Sequence, residues 1–112
     1  ETHAARHLEG AGHRVLDRNW RSGRRELDLV TLDGHTVVFV EVKTRRPGPQ
    51  PGAEALAPRQ RRHLRRAAEA WIHAHPGIGR EFRFDLVVVE TAPGRPPRID
   101  HLPDAFFGDD AR

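Results

Sequence analysis

Two hydrophobic periods divide this chain into elements. Ala4, Ala5, Leu8 and Ala11 recur at helical spacing and Gly12 stands where a helix C-cap belongs, so residues 1–11 are expected to form a first helix. His13 to Arg21 alternates weakly, Val15, Asp17, Asn19 and Arg21 against Leu16, Arg18 and Trp20, and predicts an irregular strand ended by a Ser22-Gly23 turn. Glu26 to Thr31 and Thr36 to Lys43 are β-rich runs either side of Leu32-Asp33-Gly34-His35, and Asp-Gly is a strong hairpin signal. Residues 46–57, opening Arg-Pro-Gly-Pro-Gln-Pro-Gly, predict a mobile loop facing a substrate. A second helix starts at Pro58, carries the apolar stripe Leu64, Ala67, Ala68, Trp71 and Ile72, and stops at His75-Pro76-Gly77. Phe82 to Glu90 is a strand whose run Leu86 to Val89 is apolar on both faces, as in a covered central strand. A Pro-rich connection, a short strand at Arg98 to Leu102 and a tail over residues 103–112 complete the chain. The order α-β-β-β-α-β-β specifies an α/β domain with a mixed central sheet flanked by helices.

At 112 residues the chain is expected to build one core and one domain. No window approaches the roughly 18 to 20 apolar residues of a membrane span and no signal segment opens the chain, so a soluble, cytoplasmic protein without membrane partners is expected. The first residue is Glu1, and residues are expected to precede it. With no cysteine, disulfides and thiolate metal sites are excluded, and any metal must use oxygen or imidazole ligands. The net charge of +3 is modest, but its distribution is uneven. Arginines crowd residues 18–25 and 45–66, and between positions 44 and 66 the acid is Glu54 alone. Against eighteen arginines there is one lysine, Lys43, which marks a position where a compact ammonium is wanted.

That lysine lies in the constellation that carries chemistry. If Asp33-Gly34 is a two-residue turn, Asp28 faces Phe39 and Glu26 faces Glu41. Alternation then puts Glu26, Asp28, Glu41 and Lys43 on one face and Leu27, Leu29, Val38, Val40 and Val42 on the other. Asp28 and Glu41 become diagonal neighbours, roughly 7 to 8 Å apart at the backbone, able to converge on a cation about 2.1 Å from each oxygen. Hard oxygen ligands point to Mg²⁺ or Mn²⁺, and an acid followed by Glu-x-Lys suits metal-assisted phosphodiester hydrolysis, with Lys43 orienting a water or balancing phosphate charge. Glu-x-Lys alone more often marks a solvated strand edge. Here the charges interrupt strands that are otherwise apolar, where they need partners or a task.

The segments Asn19-Trp20-Arg21, Arg25-Glu26-Leu27-Asp28-Leu29-Val30, Val38-Phe39-Val40-Glu41-Val42-Lys43-Thr44-Arg45 and Arg83-Phe84-Asp85 resemble the YraN-like family of small bacterial proteins. That family is similar to archaeal Holliday junction resolvases, and the resemblance implies a restriction-endonuclease-like (PD-(D/E)xK) core. It implies metal ligation by Asp28 and Glu41, a catalytic role for Lys43, and a further metal-binding carboxylate from the first helix, matched by Glu1. Arg25 stands where the family has Gly, and Gln60 where it has Lys; Gln60 can still donate to a phosphate.

Arg59, Arg62 and Arg66, with Arg61 and Arg65, face away from the second helix's apolar stripe and suggest a sequence-independent phosphate-binding surface, which Arg45 and Arg46 extend towards the metal. Glu26 is expected to support the ligands or pair with Arg24 or Arg25. Asp85 is expected to hold Arg83 or an N-terminal group, its task open. His3 and His7, like His73 and His75, are expected on the surface, and Trp71 in the core. The function expected is a metal-dependent endonuclease acting on DNA, branched or structured DNA included. The alternatives are a nucleic-acid-binding protein that keeps the fold without turnover and a structural partner whose acid–lysine cluster is an ion pair. A homodimer stays open.

Overall fold

The computed structural model describes residues 2–47 and 56–105. Glu1, most of the loop expected at 46–57 and the tail from residue 106 lie outside the described residues. Seven elements follow in the expected order: α1 (Thr2–Gly10), β1 (Arg14–Ser22), β2 (Arg25–Asp33), β3 (Thr36–Arg45), α2 (Pro58–Ala74), β4 (Glu81–Glu90) and β5 (Arg98–Leu102). The five strands form one mixed sheet in the order β1-β2-β3-β4-β5. Its one parallel pair is β3 with β4, and α2 is the crossover between them.

Each helix covers one face. Leu64, Ala67, Ala68 and Trp71 of α2 pack on Val30, Val37, Phe39, Leu86 and Val88, while Ala4, Ala5 and Leu8 of α1 pack on Leu29, Val38, Val40, Val87 and Val89. Strands β3 and β4 therefore bury both of their faces, which is why they are nearly continuous apolar runs. Trp71, 1% exposed, donates its indole N–H to Asp17 at 2.7 Å and stacks on His75, so the last turn of α2 is pinned to β1. His75, expected on the surface, is instead part of that anchor and pairs with Asp17 at 3.6 Å.

The hairpin closes one residue later than Asp-Gly predicts. Asp33 pairs with Thr36 and Leu29 with Val40, leaving Gly34-His35 as the loop, with Gly34 at φ +62°. Both registers send the same residues to the same faces, so alternation cannot choose between them. The carbonyl of His35 is held by the N–H groups of Arg80 and Glu81 at 2.7 and 3.2 Å, which ties the loop to the start of β4. Gly79 makes that approach feasible, since a Cβ there would collide with Val37.

Alternation also fails once. Leu27 packs with Val30 and Phe39 on the α2 side, not with Leu29 and Val40 as expected. The inversion falls at Asp28, whose position across β1 is Asn19, between the pairs Arg18–Leu29 and Trp20–Leu27. Asn19 has φ +49°, a left-handed conformation that Asn tolerates better than most residues. That conformation lies opposite the point beyond which Leu27 packs under α2.

Candidate active site

Carried one step past its last pair, the register observed would set Asp28 opposite Glu41 and not diagonal to it. The β2–β3 ladder ends at Leu29–Val40, and beyond it the Asp28 side chain takes over: its Oδ2 accepts the Val42 N–H at 2.8 Å. Strand β2 splays away from β3 here, and the carboxylate stands in for the missing backbone acceptor. Glu41 and Lys43 point with Phe39 to the α2 side, where the first turn of α2 meets them. Gln60 joins the two, its Nε2 donating to Glu41 Oε2 at 3.0 Å and its Oε1 accepting from Lys43 Nζ at 3.5 Å.

Two half-buried carboxyl groups in one corner repel. Burial pushes the Glu41 carboxyl up, the negative charge of Asp28 and a hydrogen bond shared with it push further, and Lys43 and Gln60 oppose, leaving Glu41 at about 8. Glu41 therefore ionises less readily than an ordinary carboxyl unless another positive charge arrives. Two adjacent oxygen ligands of this kind fit a hard divalent cation, which would relieve the repulsion. Among the described residues no group of three or more His, Asp or Glu side chains is placed to hold a metal, and the further acid implied by resemblance, Glu1, lies outside them.

Glu26 sits apart from this corner: it is exposed and pairs with Arg21 across the β1–β2 ladder at 3.2 Å. Arg45 is drawn under the sheet end, its side chain 16% exposed and 3.5 Å from Glu90, while Arg46 lines a separate depression with Thr91 and Arg95. Arg59, Arg62 and Arg66 do lie together, and with His63 they line a cleft of about 340 Å³ whose other wall is Arg24 and Arg25 of the β1–β2 turn. The Arg18-to-Arg25 cluster in the sequence was the signal for that second wall.

A second charged centre occupies the α1 side. Asp85, 0% exposed, accepts two bonds from Arg83 at 2.8 and 2.9 Å, one from His101 at 2.7 Å and one from the Asp104 N–H at 2.9 Å. Burial would raise its carboxyl, but the bonds from His101, Arg83 and Asp104 prevail and hold it down to about 2. His13 donates or accepts at Thr31 Oγ1, 2.8 Å away, and burial draws its imidazole below the ordinary value despite Asp33 and Asp85. The rings of His7 and His13 meet His101 edge-on. The expected Asp85–Arg83 pair is present; the histidines around it come from elements distant in sequence.

The segments singled out above lie within the range that matches a known family. The model of an uncharacterised protein family, UPF0102, matches residues 1–89. A UPF0102 protein of Frankia alni is 47% identical over 92% of this chain and 87% of its own length. One from Anaeromyxobacter dehalogenans is 44% identical over 97% and 81%, and one from Nocardia farcinica 45% over 92% and 82%. With a family match over most of its length and relatives at this identity, the chain belongs to the UPF0102 (YraN) family.

Proposed function

We propose that this protein is a cytoplasmic, metal-dependent endonuclease that hydrolyses phosphodiester bonds in DNA, branched or structured DNA included, on a restriction-endonuclease-like core. The observation that carries this reading is the meeting of Asp28, Glu41, Lys43 and Gln60 where β2 parts from β3, with Glu41 raised to about 8 by burial and by Asp28. An acid pair under such repulsion is poorly explained as a structural ion pair, which would lower both carboxyls. Mg²⁺ or Mn²⁺ held by Asp28 and Glu41 would supply Lewis-acid activation of a water and a phosphate oxygen.

The chain's own groups do the rest. Val42 N–H fixes the Asp28 carboxylate, and Gln60 fixes that of Glu41. Lys43, held by the same Gln60, keeps a compact cation beside them, where it can donate to a non-bridging phosphate oxygen or to the attacking water. The arginine cleft supports a second reading, a nucleic-acid-binding protein without turnover, because its lining of five arginines and a histidine could bind phosphates without using either carboxylate. Incubating the protein with linear, flapped and four-way DNA in Mg²⁺ or Mn²⁺ separates the two. Cleavage that stops on chelation supports the nuclease; DNA binding without cleavage in any metal or DNA shape leaves the binding protein.

A further inference from the structure

We infer that the cleft between the β1–β2 turn and the first half of α2 is a non-catalytic grip on consecutive phosphates of a nucleic-acid backbone, with its own binding contribution. The inference rests on the nucleic-acid reading above and adds to it a site, a chemistry and a position.

Five guanidinium groups, Arg24, Arg25, Arg59, Arg62 and Arg66, and the His63 ring line one cleft of about 340 Å³. Among the described residues none of the five is paired with a carboxylate: the nearby acid Glu26 is taken by Arg21, and the first turn of α2 has no acid. Like charges drawn together without counter-charge repel, and such a cluster is stabilised when an anion enters. A solvated helix face explains Arg59, Arg62 and Arg66 alone, but it does not explain why a hairpin turn brings Arg24 and Arg25 opposite them.

The lining also says which anion. It is five guanidinium groups and one imidazole with no Phe, Trp or aliphatic wall, a lining that favours the charged backbone over the bases. Five cations exceed what one phosphate can neutralise, whereas successive phosphodiesters along a strand supply one charge each. Guanidinium suits phosphate oxygens through paired N–H donors. Position follows from element geometry. Arg59 is the helical neighbour of Gln60, which touches Glu41 and Lys43, and Arg66 lies two turns on, roughly 10 Å along the axis. Arg25 precedes Asp28 by three strand residues, roughly 10 Å. The cleft thus runs from beside the carboxylates to about three nucleotide rises away, at about 3.4 Å each in a duplex strand. It would hold the strand flanking the phosphate presented to Asp28 and Glu41.

The test is equilibrium binding of labelled duplexes of three unrelated sequences, in EDTA, across a series of KCl concentrations. Two variants are compared with wild type: Arg24→Ala with Arg25→Ala on the turn, and Arg59→Ala with Arg66→Ala on α2. All four side chains are exposed, and melting temperature checks the fold. Each pair should weaken binding of every sequence by about 10-fold or more at low salt and flatten the log K against log salt slope by about 1.8, two contacts' worth. Wild-type affinity and slope in both folded variants would overturn the grip. So would equal competition by poly-glutamate and DNA at matched charge, which would assign the cleft to an acidic polypeptide. Because no metal is present, the outcome is independent of turnover. An altered slope with no cleavage sinks the nuclease reading alone, and an unaltered slope with metal-dependent cleavage sinks the grip alone.

Discussion

Two carboxylate centres lie on opposite faces of this sheet, and the same forces act on them with opposite results. Asp85 is the more deeply buried, yet three donors surround it and its carboxyl is held at about 2. Glu41 is less buried, faces a second acid, and is raised to about 8 with only Gln60 and Lys43 against the shift. Burial pushes both up; the partners decide. At Asp85 the cation is a guanidinium, planar and bidentate, which suits a permanent ion pair. At Glu41 it is the chain's one lysine, reaching the acid through an amide. One centre is complete as it stands. The other is short of positive charge, a lack that the proposed metal would make good.

The largest effect that can break this contrast is on stability. Asp85→Asn should cost about 3 kcal/mol in urea unfolding at neutral pH, since Arg83 loses its charged partner in a nearly closed site. Asp28→Asn should stay within about 1 kcal/mol of wild type, because it relieves repulsion. Equal losses would make both centres structural.

Next in size is Lys43→Arg, which keeps the charge while widening it into the group that serves Asp85. If the two centres differ in kind, metal-dependent cleavage should fall about 100-fold, about 2.7 kcal/mol of barrier, with DNA affinity and melting temperature held. Cleavage at the wild-type rate would remove this lysine from the chemistry.

Titration of Asp85 comes third. Its folded-state carboxyl titrates below the ordinary 3.8, so the unfolded chain binds the proton first as pH falls. The stabilisation is full above about pH 4 and is lost as pH falls towards 2, by about 2 kcal/mol. Stability curves of Asp85→Asn should lack that acid limb.

The smallest effect is at Glu41, and its sign is reversed. Here the folded state binds the proton more tightly, so stability declines as pH rises from about 4.5 to about 8. Glu41→Gln should match wild type near pH 5 and exceed it near pH 9, by about 1 kcal/mol once solvent screening is allowed for. Adding Mn²⁺ should raise the melting temperature of wild type and leave that of Glu41→Gln unmoved. A variant that is less stable at both pH values would show Glu41 to be an ordinary structural acid.

Much of this was legible from periodicity and residue type. Leu64, Ala67, Ala68 and Trp71 at helical spacing, and the two-faced apolar runs of β3 and β4, specify a helix and central strands with no knowledge of what they touch. Glu41 and Lys43 could be put on the face of Phe39 because side chains alternate along any strand, whichever register holds. Arg83 and Asp85, two residues apart on β4, share a face for the same reason.

What alternation could not supply was distance between segments. The register observed goes with a His35 carbonyl bound by the N–H groups of Arg80 and Glu81, a contact between segments distant in the sequence. The inversion of Leu27 depended on Asn19 adopting φ +49° across from Asp28. His101 and Asp104 reach Asp85 only because β5 returns along β4, and Arg24 and Arg25 face Arg59 and Arg66 only because α2 crosses over the β1–β2 end of the sheet. Periodicity is a property of one stretch of chain, set by backbone geometry that every sequence shares. The distances between an acid, its donors and its cations are set by how separately formed elements pack, and they turn one carboxyl into a closed ion pair and leave another raised beside a second acid.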